Sequence, residues 1–71
     1  MEEDVLDKCM KLIRAYKRLR REDLEASTEY VMGKVMEAAD TYIDILKGNE
    51  FAKEMISRTV YRITELEAER G

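Results

Sequence analysis

The sequence predicts an all-α fold, a three-helix chain whose second and third helices form an antiparallel hairpin. Two observations carry this. The 71 residues contain no Pro and three Gly, and apolar residues recur at steps of three and four from end to end, the period of a helix with one buried face. A third fixes the hairpin: Lys47-Gly48-Asn49-Glu50 reads as a last-turn base, a positive-φ stop, an N-cap and a first-turn acid. A two-residue break of this kind makes the flanking helices antiparallel neighbours.

The first helix is expected over about 3–21. Val5, Cys9, Leu12, Tyr16 and Leu19 form one stripe, widened by Leu6 and Ile13. Asp4 and Asp7 stand near its start and Arg18, Arg20 and Arg21 near its end, matching the helix dipole at both termini. The second helix is expected over about 28–47, with the stripe Val31, Val35, Ala38, Tyr42 and Ile45 flanked by Met32, Met36, Ala39, Ile43 and Leu46. The third is expected over about 50–69, on Phe51, Met55, Thr59, Ile63 and Leu66 with Ala52, Ile56 and Val60 beside them. Between the first two helices Asp23, Ser27 and Thr28 are the available caps. A break near 22–28 is favoured over one long bent helix, because the two apolar faces lie about a quarter turn apart with the wrong sense for a left-handed supercoil.

Length bounds the assembly. One domain, 1–71, is only marginally able to bury enough surface alone, and chains this small usually add a disulfide, a metal or a partner. The lone Cys9 forms no internal disulfide, and there is no His, the commonest metal ligand. Cys9 reads as a small buried hydrophobe. The apolar arc of the second helix spans about half its circumference, more than one core needs. A homodimeric helical bundle is therefore expected, with Met32, Val35, Met36, Ala39, Tyr42, Ile43 and Leu46 at the interface.

Charge is segregated along the chain. Lys8, Lys11, Arg14, Lys17, Arg18, Arg20 and Arg21 fall within residues 8–21 without an acid among them, in a chain of net charge −3. Lys11, Arg14, Arg18 and Arg21 form one ridge opposite the apolar stripe, a solvated face or a footprint for an acidic protein partner. Nucleic acid is a weaker reading: no aromatic interleaves the ridge for base stacking, and the acidic remainder repels a duplex. The acidic Met1-Glu2-Glu3-Asp4 is unlike a secretory signal, and no apolar run reaches the ~20 residues of a membrane span. The chain reads as cytoplasmic, with no membrane partner.

Two local patterns resemble known families. Glu22-x-x-Glu25 followed by Glu37-x-x-Asp40 is similar to the Mg²⁺-binding signature of the all-α nucleotide pyrophosphohydrolases of the MazG type, which implies two carboxylate pairs on facing helices. Here only eleven residues separate the pairs. On one straight helix they would lie ~22 Å apart, too far to share an ion with ligand bonds of about 2 Å. The segment from Ile56 to Arg62, continuing to Gly71, resembles the recognition helix of helix-turn-helix and winged-helix regulators, which implies DNA contacts by Ser57, Arg58, Tyr61 and Arg62. It covers about a quarter of the chain and lacks the turn Gly, so Asn49–Arg70 reads as a single helix. Neither a Ser/His nor a Cys/His pair is available for nucleophilic catalysis, and no catalytic, cofactor or metal site is assigned. The expected function is a small interaction module (adaptor, inhibitor or oligomerisation domain), with a nucleic-acid-binding regulator as the alternative.

Overall fold

The computed structural model describes residues 2–70; Met1 of the acidic N-terminal stretch and Gly71 lie outside them. Three helices follow in order, α1 over Glu2–Glu22, α2 over Thr28–Ile45 and α3 over Glu50–Arg70. Side-chain contacts orient them. Lys8 near the start of α1 sits over the Tyr42 ring near the end of α2, so these two helices are antiparallel. Tyr16 and Arg20 in the second half of α1 meet Glu67 near the end of α3, so α1 and α3 run parallel. The chain is thus an up-down-up bundle in which α2 and α3 form the expected antiparallel hairpin.

The link 23–27 is a true break rather than a bend. Asp23 accepts a hydrogen bond from the Glu25 amide at 3.1 Å, an Asx turn, and the Ser27 hydroxyl accepts from the Tyr30 amide at 3.1 Å as the N-cap of α2. Short polar side chains that bond their own backbone divert it from helix and then restart it. At the other link α2 stops at Ile45, two residues earlier than expected, with Leu46 as C-cap. Gly48 takes φ 90°, the conformation its missing side chain permits. Asn49 then caps α3 by accepting from the Ala52 amide at 3.1 Å.

The core contains Val5, Cys9, Leu12 and Tyr16 from α1, Val31, Val35 and Ala39 from α2, and Ala52, Ile56 and Ile63 from α3. Each set falls at steps of three, four or seven residues, so each helix contributes one stripe. Thr59, buried beside them, returns its hydroxyl to the Met55 carbonyl at 2.9 Å. The stripes are narrower than the sequence suggests. Leu6, Met36, Ile45 and Phe51, expected on apolar faces, are largely exposed, because three helices close around the stripe centres and leave the edges of wide arcs outside.

Candidate functional site

The outer face of α1 carries the basic ridge. Lys11, Arg14, Arg18 and Arg21 are all exposed, since they lie across the helix from Val5, Cys9, Leu12 and Tyr16. Lys11 pairs with Asp7 at 3.1 Å in an i,i+4 bridge, and that partner holds the Asp7 carboxyl below its ordinary value, the Lys11 hydrogen bond being the largest cause. Among the described residues no acid lies within ion-pair distance of Arg14, Arg18 or Arg21. Three guanidinium groups therefore stand with their donors toward solvent, a set suited to carboxylates or phosphates.

The outer face of α2 is the counterpart. Glu29, Glu37, Asp40 and Asp44 are exposed, and no base of the chain's described residues pairs with any of them. Glu37, Asp40 and Asp44 repeat the i, i+3, i+7 spacing of Lys11, Arg14 and Arg18. Two adjacent helices thus present ridges of equal pitch and opposite sign.

Beneath the ridges lies a polar cluster that the sequence does not announce. Arg20, grouped with the basic block, is buried, and so is Glu67. The Arg20 Nε donates to Glu67 Oε2 at 2.8 Å and Nη2 to Oε1 at 2.6 Å, a bidentate pair. The Tyr16 hydroxyl donates to Oε2 at 2.6 Å and the Thr28 hydroxyl to Oε1 at 3.1 Å. The remaining arm of Arg20 reaches back to the Ala26 carbonyl at 2.6 Å, and Arg70 donates to the Leu24 carbonyl from outside. The carboxylate also lies at the N-terminus of α2, where the helix dipole favours negative charge. Arg20 first, with Tyr16 and Thr28, lowers the Glu67 carboxyl to about 2 against the opposing effect of burial. Burial and the neighbouring Glu67 push the Tyr16 phenol up. No buried side-chain polar atom among the described residues is left unpaired. A signal is present in the spacing: Arg20 follows Tyr16 by four and Glu67 follows Ile63 by four, each continuing a buried stripe. Residue type outweighs position in a sequence reading, because charged side chains are rarely buried unless paired.

The surface expected at the second-helix interface divides. Val35 and Ala39 belong to the chain's own core, so they are not available to a second copy while the bundle is closed. Met32, Tyr42, Ile43 and Leu46 are half-buried and pack against that core, and Met36 is exposed. An arc that reads as surplus is thus partly occupied by α1 and α3.

The carboxylates of the Mg²⁺-like pattern do not converge. Glu22 ends α1, Glu25 lies in the link, and Glu37 and Asp40 lie in mid-α2; no group of three or more potential metal ligands gathers among the described residues. The helix-turn-helix resemblance fails on its turn, since α3 is one helix from Glu50 to Arg70. Within it Arg58 bonds Glu54 at 2.9 Å and Arg62 lies 3.7 Å from Glu65. Among the described residues no helix is long and apolar enough to cross a membrane. No protein-family model matches the chain, and no curated protein or solved structure is significantly similar to it.

Proposed function

We propose that the chain is a small cytoplasmic interaction module that assembles as a homodimer and offers its helical surface to a protein partner, as an adaptor or inhibitor does. The observation that carries this reading is the pair of segregated ridges, basic on α1, where only Lys11 has an acid beside it, and acidic on α2. A solvated surface ordinarily intersperses both signs, and segregated charge of this kind steers and orients a complementary surface. The limited core supports it too, because a chain of 71 residues gains stability from a second subunit where it has no disulfide.

The test is the mass in solution. Light scattering at micromolar concentration should give about twice the chain mass of 8.4 kDa, falling toward a single chain on dilution. A constant single-chain mass over the whole dilution range overturns the homodimer.

A further inference from the structure

We propose that the dimer forms through the α1/α2 face, with the basic ridge of α1 in one copy lying along the acidic ridge of α2 in the other. The inference rests on the homodimer reading and adds where the two copies touch.

The Lys8–Tyr42 contact marks the seam between α1 and α2. Ala15 and Leu19 follow Lys8 at i+7 and i+11, so they lie on the same flank of α1; Ala38 and Ile45 lie at i−4 and i+3 from Tyr42 on the matching flank of α2. The seam is therefore lined by two small residues that let helices approach, beside half-buried Leu19 and exposed Ile45. Charge borders it on both sides, basic beyond α1 and acidic beyond α2.

That arrangement is self-complementary under a two-fold axis parallel to the bundle. Such an axis exchanges left and right without changing height, so α1 of one copy lies antiparallel over α2 of the other, and the reverse contact forms at the same time. Height is set by the Lys8–Tyr42 contact, which places Lys11, Arg14 and Arg21 level with Asp40, Glu37 and Glu29. The long side chains of α1 then reach the acids of the partner's α2 along the outer edge, as charged residues do beside an apolar helical seam. Lys34, the only base on α2, sits over the Tyr30 ring at 5.7 Å, within its own chain. Among the described residues no other pair of helix faces carries matched ridges of equal pitch and opposite sign.

Two charge-reversed chains test this, one with Lys11→Glu, Arg14→Glu and Arg21→Glu, the other with Asp40→Lys, Glu37→Lys and Glu29→Lys. All six positions are exposed, and circular dichroism checks that helix content is kept. Each variant alone should show a twofold loss of mass relative to wild type, and an equimolar mixture should return to the dimer mass, because the heterodimer restores both contacts. Wild-type association should weaken about tenfold between low and high salt, as exposed charge pairs are screened. If a triple variant loses helix, the single swap Arg14→Glu mixed with Glu37→Arg reads the same contact. Variants that dimerise as wild type does, or a mixture that stays monomeric, overturn this interface and leave the homodimer standing. A wild-type chain that is itself monomeric removes the homodimer reading, so the two failures are told apart.

Discussion

Arg20 and Glu67, forty-seven positions apart in the chain, form a bidentate ion pair with Nε–Oε2 and Nη2–Oε1 distances of 2.8 and 2.6 Å. The pair ties α1 to α3, and through Thr28 and the Ala26 carbonyl it also holds the start of α2 and the link before it.

Removing the anion should be costly. Glu67→Gln leaves the Arg20 charge buried without a counterion, and breaking such a pair from one side costs about 3 kcal/mol. For a chain of this size that corresponds to a fall in melting temperature of about 12 °C or more, readable by calorimetry. The triple variant Tyr16→Phe, Arg20→Met, Glu67→Leu should recover most of the loss, because replacing the pair and its buried hydroxyl partner by apolar groups removes the desolvation cost and strands no buried donor. The wild-type contribution is also pH-dependent. The Glu67 carboxyl titrates at about 2 in the folded chain against an ordinary value of 4.5, so its stabilisation is present above pH 4.5 and is lost as pH falls toward 2. Acid unfolding of Glu67→Gln should be flatter across that window; equal slopes for the two proteins would refute the assignment.

The two internal glycines should respond in opposite directions. Gly33 sits on the exposed side of α2 with nothing within 4 Å of the place a Cβ would take, and Gly48 is equally open but has φ +90°. Gly33→Ala should stabilise by roughly 1 kcal/mol, the helix-propensity difference. Gly48→Ala should destabilise by about 1 kcal/mol, since only backbone strain changes there. Denaturant titration of both variants checks the pair, and the same sign for the two would show that the turn, or the helix, is wrongly placed.

The basic ridge should prove to be a protein-facing surface and not a nucleic-acid reader. In a shift assay with random duplex DNA and structured RNA at about 50 and 200 mM salt, wild type and a variant with Lys11, Arg14, Arg18 and Arg21 all changed to Glu should both bind weakly. Phosphate contacts would instead give tight binding that collapses with salt and is lost in the variant. That outcome would put the nucleic-acid regulator first.

Most of the bundle is legible in the sequence because a periodic stripe survives errors in detail. Val5, Cys9, Leu12 and Tyr16 lie on one face of any helix drawn through them. The Gly48-Asn49 turn is legible because only a few residue types suit those positions. The Tyr16–Arg20–Glu67–Thr28 cluster is not, since nothing local reports that an Arg in the first helix and a Glu in the third continue their buried stripes toward each other. The edges of the apolar arcs escape a sequence reading for a related reason: whether Leu6, Ile45 or Phe51 is covered depends on how closely the other helices approach, and periodicity within one helix holds no such information. Both ridges are visible as residues, whereas their equal level on adjacent antiparallel helices needs the Lys8–Tyr42 contact.

The Arg20–Glu67 pair also sets an order along the chain. Arg20 leaves the ribosome forty-seven residues before Glu67, the carboxylate that makes its burial tolerable. In a chain holding only the first two helices the carboxylate is absent, so burial of Arg20 and its neutralisation both wait on α3. The first and last helices are thus tied by a charge that only the finished chain can balance.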